Sequence, residues 1–270
     1  MKPAPFRYHR PESLAHALEL LSGLEDAKLI AGGQSLGPMM NMRLVQPADL
    51  VDLNAVAGLD FITEKDDCLE IGALARHHAV EKSGLVKKHC PLLAEAAGTI
   101  GHYAIRSRGT LGGSLAHADP AAQLPLVAAT LGAEIVANGK RGERRIAAKD
   151  FFVSMMSTSL EPGEIVVSAR FPKAAAGDRH AYLQFSRRTG DFAIVAVAVV
   201  FHSNKLWVGI GGAEDKPRVL EFSKEKPETI ARKAREAVDP AENPRVPALY
   251  RKELVEVLVQ RAVAKCLNSN

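Results

Sequence analysis

At 270 residues the chain is long for one compact core and short for three ordinary domains, so its length predicts two or three small lobes. Hydrophobic residues make up 47% and charged residues 24%, which excludes a disordered chain. Thirty-five basic against 31 acidic residues leave a formal charge of +4, too mild and too scattered for a nucleic-acid binder, and no apolar run is long enough for a transmembrane helix.

The opening MKPAPFRYHRPESL lacks an apolar signal core, so a cytoplasmic location is expected. Ser13 is placed to cap a helix that carries Leu14, Leu18 and Leu21 at helical spacing. A strand over AKLIA runs into Gly32-Gly33, and a second strand is expected over Ala48 to Leu53. LDFITEKDDCLEIGAL predicts a hairpin with its polar tip at Glu64 to Asp67. Helices are expected near 76–82 and 91–99, before a second glycine turn in RGTLGGSLAHADPAAQLP. Asn138-Gly139 predicts another hairpin turn, with KRGERR (Lys140 to Arg145) as its solvated tip or a partner contact. The polar, proline-bearing stretch Phe171 to His180 marks a break. Beyond it AYLQFSRR, AIVAVAVVF and LWVGIGG read as consecutive antiparallel strands. Two helices close the chain, at 227–237 and 248–267, the second with Leu254, Val257, Leu258 and Arg261 at helical spacing. The fold class is α+β, with antiparallel pieces interrupting any βαβ alternation.

Two short stretches carry candidate chemistry. AGGQS (Ala31 to Ser35) and LGGS (Leu111 to Ser114) each join two glycines to a hydroxyl, so backbone N–H groups can converge on one anionic group without side chains in the way. Neither matches G-x-G-x-x-G or G-x-x-x-x-G-K-[ST]. Two such turns suit the two phosphates of one dinucleotide.

Other candidates are weaker. Ser114, His117 and Asp119 lack the G-x-S-x-G elbow of a hydrolase. His77, His78 and His102 lack H-E-x-x-H spacing and read as surface or satisfied core histidines. Met39, Met40 and Met42 read as adaptable packing beneath a ligand. Cys68, Cys90 and Cys266 are too far apart to hold a metal or cluster within this chain, so no metal site is expected.

Longer strings extend the reading. AGGQSLGPMMNMRLVQPADLVDLN and RSRGTLGGSLAHADPAAQLP resemble the two flavin-binding signatures of the FAD-binding (medium) subunit of molybdenum hydroxylases. That family includes the carbon monoxide dehydrogenase medium subunit and the xanthine dehydrogenase FAD domain. FRYHRPESLAHAL, LEIGALARHHAVEKS, CPLLAEAAGTIG, SRRTGDFAIVAVAV and YRKELVEVLVQRAV extend the likeness along almost the whole chain. The resemblance implies a two-lobed FAD-binding fold of the PCMH (vanillyl-alcohol oxidase-like) type followed by a C-terminal α+β domain with an antiparallel sheet. The implied parts are an N-terminal lobe at 1–57, a middle lobe at 58–174 and a CO-dehydrogenase-flavoprotein-like domain at 178–270.

By the same resemblance, Ala31, Gly32, Gly33, Gln34, Ser35 and Leu36 contact the cofactor from the first turn, and Thr110, Gly112, Gly113 and Ser114 from the second. Asp119, Gln123, Ile165 and Phe192 complete the set, with no catalytic residue for substrate chemistry. Two positions depart from the family pattern. Gln123 stands where an acidic residue holding the adenosine ribose is expected, and Gln184 where a lysine near the flavin is expected, with Arg187 and Arg188 available to compensate. Phe192 is either a ring packed near the isoalloxazine or a core strand residue.

The implied function is that of a relay. A large molybdenum-cofactor subunit oxidises a substrate, a small subunit with 2Fe–2S clusters passes electrons on, and FAD in this chain delivers them to an external acceptor, in a dimer of heterotrimers. The substrate and the acceptor stay open. Two alternatives remain at this point: a self-contained flavin oxidase, which predicts turnover by the chain alone, and a non-redox nucleotide-binding module, which predicts a colourless protein.

Overall fold

The structure, a computed structural model, describes residues 2–268. The N-terminal part runs β1 (Arg7–His9), α1 (Leu14–Gly23), β2 (Ala27–Ile30), α2 (Leu36–Asn41) and β3 (Asp49–Asp52), ending in a 3-10 turn at Leu53–Ala55. Its three strands form a parallel sheet in the order β1-β3-β2. Ser13 caps α1 as expected, its Oγ accepting the His16 N–H at 3.2 Å. β1 is not signalled by periodicity, because a three-residue edge strand takes its conformation from its partner. Arg7 makes two hydrogen bonds to the buried Asp49 carboxylate, at 2.8 and 2.7 Å, and His9 lies 2.7 Å from the same group. Arg7 holds the Asp49 carboxyl below its usual range.

The middle part begins with the expected hairpin, β4 (Ile62–Glu64) and β5 (Cys68–Gly72). Six helices follow: α3 (His77–Lys82), α4 (Gly84–His89), α5 (Pro91–Gly98), α6 (Tyr103–Arg106), α7 (Leu111–His117) and α8 (Gln123–Thr130). Then come β6 (Glu134–Gly139), β7 (Gly142–Ala147), α9 (Ala148–Phe151), the small hairpin of β8 (Phe152–Ser154) and β9 (Ser157–Thr158), and β10 (Ile165–Pro172). The β6–β7 turn falls at Lys140-Arg141 rather than at Asn138-Gly139, which stay in the ladder opposite Glu143 and Gly142. Gly142, at φ 88°, supplies the left-handed residue that closes the turn.

β10 lies at the centre of the five-stranded sheet β4-β5-β10-β6-β7 and is buried on both faces. Ile165 and Val167 face α1 through a cluster that includes Ala17, Leu53 and Leu74. Val166, Ala169 and Phe171 face the helices of the larger core, the register shifting between Val166 and Ser168.

The C-terminal part is an antiparallel meander of β11 (Arg179–Phe185), β12 (Val195–His202), β13 (Lys205–Gly211) and β14 (Arg218–Ser223), covered by α10 (Pro227–Ala237) and α11 (Ala248–Asn268). β14 is one strand more than the sequence signals, and β11 stops at Phe185, before Ser186 to Arg188. The alternation in β12 sorts its faces. Val195, Val197 and Val199 pack under the two helices, while Ala196 and Ala198 join Tyr182 in the middle core. The buried stripe of α11 is Val255, Leu258, Val259, Ala262, Val263 and Cys266, so Val257 lies outside it. Among the described residues no helix is long and apolar enough to cross a membrane.

A cleft between two glycine turns

Both glycine turns line one cleft of about 680 Å³, within the several-hundred-Å³ range common for cofactor sites. Ala31, Gly32, Gly33, Gln34, Ser35 and Leu36 contribute from the β2–α2 turn, and Thr110, Gly112, Gly113, Ser114 and Asp119 from the α7 region. Gln123, Ile165 and Phe192 also line it, so the residues singled out in the sequence converge on one space. Met39, read in the sequence as packing beneath a ligand, and His77 line it as well, while Gly101, Ile105, Met156, Glu164 and Gly190 are lining residues that no local pattern marked.

The two turns touch at one point. A Cβ on Gly32 would lie 2.2 Å from the carbonyl oxygen of Arg108, just ahead of the second turn. Only glycine lets these backbones meet. Gly33 follows in the left-handed region, at φ 69°. Beyond it the N–H groups of Gly33, Gln34 and Ser35, among the described residues, donate to no protein acceptor, whereas Gln34 Nε2 folds back onto Gly32 O at 2.9 Å.

The second turn is not equivalent. Leu111 N donates to Ala75 O, Gly112 N to Ala73 O, Gly113 N to Thr110 Oγ1 at 3.1 Å, and Ser114 N to Thr110 O. Its N–H groups are therefore spent inside the protein, and the expectation of two equal N–H nests is corrected. What this turn offers the cleft is a close, flat wall, with Thr110 capping α7. An array of free N–H groups facing such a wall fits an anionic dinucleotide backbone.

Asp119 Oδ1 accepts from Ala121 N at 2.8 Å, and no hydrogen bond joins Ser114, His117 and Asp119 among the described residues. Of the three methionines, Met39 lines the cleft, but Met40 is in the core and Met42 is exposed. Phe192 precedes β12 and is 61% exposed, which removes the core-strand reading. No group of three or more His, Cys, Asp or Glu side chains is arranged to hold a metal among the described residues.

Gln123 is 4% exposed and its Nε2 donates to Gln184 Oε1 at 3.2 Å. The same oxygen accepts from the Tyr182 hydroxyl at 2.7 Å and from Thr99 Oγ1 at 3.3 Å. Gln123 and Gln184, at which an acidic residue and a lysine were expected, thus share a single polar contact between α8 and β11. Gln184 is not among the residues lining the cleft, and neither are Arg187 and Arg188. Arg187 instead donates to Arg245 O at 3.0 Å.

His77 is a buried histidine beside the cleft, 7% exposed. Its Nε2 lies 2.9 Å from Thr110 O, so that nitrogen carries the proton, and Nδ1 is buried without a partner. Burial pushes its pKa down to about 4 from 6.5. Between these values the unfolded chain binds a proton that the folded chain does not, so stability falls as pH drops from about 6.5 towards 4. The loss at the acid end amounts to about 2–3 kcal/mol. His180, also held low by burial, adds a slope of the same sign. His77→Gln keeps a donor for Thr110 O and removes the titration. Urea midpoints between pH 7 and pH 5 should show a shallower slope in this variant, and an unchanged slope would assign the effect to His180.

Comparison with known proteins places the chain in a family. Residues 4–174 match the FAD-binding domain in molybdopterin dehydrogenase, which covers more than half of the chain. The chain belongs to this family. It is 40% identical to the 6-hydroxypseudooxynicotine dehydrogenase complex subunit alpha of Paenarthrobacter nicotinovorans, across 99% of this chain and 96% of that one. Carbon monoxide dehydrogenase from Hydrogenophaga pseudoflava superposes with a TM-score of 0.94 and 35% identity, over 99% of both chains. Quinoline 2-oxidoreductase from Pseudomonas putida 86 gives a TM-score of 0.92 and 32% identity over 98% of both. The protein is accordingly an FAD-binding medium subunit of the molybdenum hydroxylase type, an oxidoreductase component, and the expected α+β architecture with its C-terminal antiparallel sheet is observed.

Proposed function

We propose that this chain is the electron relay of a cytoplasmic molybdenum hydroxylase complex. Its partners in this reading are a large molybdenum-cofactor subunit and a small subunit holding 2Fe–2S clusters, assembled as a dimer of heterotrimers. The observation that carries the proposal is the shared cleft, in which the open N–H groups at Gly33 to Ser35 face the wall at Thr110 to Ser114. FAD, when bound, supplies the capacity to take up and release electrons singly or in pairs. The chain's own residues bind and orient. Ala31 to Leu36 present backbone to the diphosphate, and Thr110, Gly112, Gly113 and Ser114 close the opposite side. Asp119, Gln123, Ile165 and the exposed Phe192 ring line the same cleft and would help to hold the cofactor there. In this reading an N-terminal lobe at 1–57 and a middle lobe at 58–174 would hold the cofactor between them, with the domain at 178–270 completing the chain.

The test is a visible spectrum of the purified chain and of the chain co-expressed with its partners, before and after added FAD and gel filtration. Retained flavin, reducible through the partner subunits and with no turnover of organic substrates by the chain alone, is the expected result. Turnover by the chain alone would replace the relay with a self-contained flavin oxidase. A colourless protein under every condition would leave a nucleotide-binding module.

A further inference from the structure

Two residues that do not line the cleft join its two walls. Arg76 stands at the start of α3, and its guanidinium reaches in two directions. Nη1 donates to Arg108 O at 2.6 Å and Nη2 donates to Asn54 Oδ1 at 2.7 Å. Asn54, just past β3, in turn donates from Nδ2 to Ala31 O at 2.8 Å. Asp52 fixes Asn54 from behind, its carboxylate accepting both the Asn54 N–H and the side-chain amide. Ala31 opens the first glycine turn and Arg108 leads into the second. A continuous relay, Ala31 O to Asn54 to Arg76 to Arg108 O, thus spans the two walls.

The carbonyl at the end of this relay is the oxygen that Gly32 approaches. A Cβ there would lie 2.2 Å from Arg108 O. Arg76 therefore grips the point where the walls meet, drawing on the planar fork of donors that only arginine offers. Neighbouring backbone contacts run the same way. Arg76 forms an isolated bridge with Thr110, and His77 N donates to Gly109 O at 2.9 Å.

From this geometry we infer that Arg76, acting with Asn54, is the positioning residue that sets the spacing of the two glycine turns and so the affinity and release rate of FAD. The inference rests on the cleft being the FAD site. Arg76 is assigned no contact with the cofactor. It acts through two backbone carbonyls, and a lysine, with one nitrogen in place of a fork, cannot hold Arg108 O and Asn54 together in this geometry.

The experiment measures the FAD dissociation constant and release half-life by flavin fluorescence on the full chain co-expressed with its partner subunits. The variants are Arg76→Ala, Arg76→Lys, Asn54→Ala and the double Arg76→Ala/Asn54→Ala, with the thermal midpoint of each. Arg218→Ala removes an arginine from a distant ion pair with Glu214 and serves as control. Arg76→Ala should weaken FAD about tenfold and shorten its half-life in proportion, and the double variant should do no worse. Arg76→Lys should match Asn54→Ala, and Arg218→Ala should leave affinity at the wild-type value. Unchanged FAD affinity in Arg76→Ala, or single effects that multiply in the double variant, would overturn this inference alone. FAD loss that tracks the thermal midpoint across all variants, including the control, would overturn it equally. A wild-type complex that binds no FAD would overturn the site reading and this inference with it.

Discussion

Gly32→Ala should cost the protein its FAD while Gly37→Ala, five residues on, should leave binding intact. A Cβ at Gly32 would lie 2.2 Å from Arg108 O and 2.8 Å from both Arg108 C and Gly109 Cα. All three are backbone atoms, so no side chain can rotate away, and the turns must part by on the order of 1 Å to reach ordinary contact. Overpacking of this kind costs about 1–3 kcal/mol of stability. The cost to binding should be larger than a tenfold loss, because every N–H donor of the first turn moves relative to the opposite wall and charge-assisted hydrogen bonds are sensitive to such shifts. Gly37 sits in α2 with nothing within 4 Å of its Cβ position. There the helix preference of alanine is offset by the crowding of a Cβ just ahead of Pro38, so stability should stay near the wild-type value. The check is bound FAD per chain, its dissociation constant and the thermal midpoint for both variants. Equal FAD affinity for Gly32→Ala and wild type would show that the contact between the turns has no bearing on the cofactor.

That contact also marks how far the sequence can be read. The glycine pairs are visible as letters because close backbone approach demands glycine, and β12 is visible because its valines and alanines alternate between two cores. The relay is not visible. Asn54 is 22 positions from Arg76, and Arg76 is 32 from Arg108, and their targets are carbonyl oxygens that every residue carries. Nothing local marks a polar side chain at an element edge as the one that bridges two walls. β1 fails for a related reason, since its pairing depends on Asp49, 42 positions from Arg7. The second glycine turn misled differently. Its composition matches the first, but Thr110 Oγ1, Ala73 O and Ala75 O consume the N–H groups that composition alone would leave free. Composition tells which backbone can approach, and tertiary neighbours decide which donors remain.

Gln123→Glu and Gln184→Lys should each destabilise the chain, and together they should largely cancel. Gln184 Oε1 accepts from Gln123 Nε2, the Tyr182 hydroxyl and Thr99 Oγ1. Burial of Tyr182 pushes its phenol pKa up, so its hydroxyl stays a donor. Gln123→Glu places a carboxylate, which can only accept, against that oxygen in a buried site. Gln184→Lys replaces the accepting amide oxygen at the same junction with an ammonium that can only donate. Gln123→Glu, at a buried position, should cost about 2–4 kcal/mol, the range for an uncompensated buried charge, and Gln184→Lys, at a half-buried one, should cost less. In the double variant the two charges face each other where the amide contact was, and most of that loss should return, with a coupling energy of about 2 kcal/mol or more. An acidic residue at 123 and a lysine at 184 would form one ion pair, and here a neutral amide contact stands in its place. Denaturant midpoints of the four proteins at pH 7 supply the cycle. Repeating the Gln123→Glu measurement at lower pH adds a sign test, because protonating a carboxyl whose pKa is raised by burial should recover stability as pH falls. Additive losses in the double variant would mean that residues 123 and 184 act separately, leaving the neutrality of each to be explained on its own.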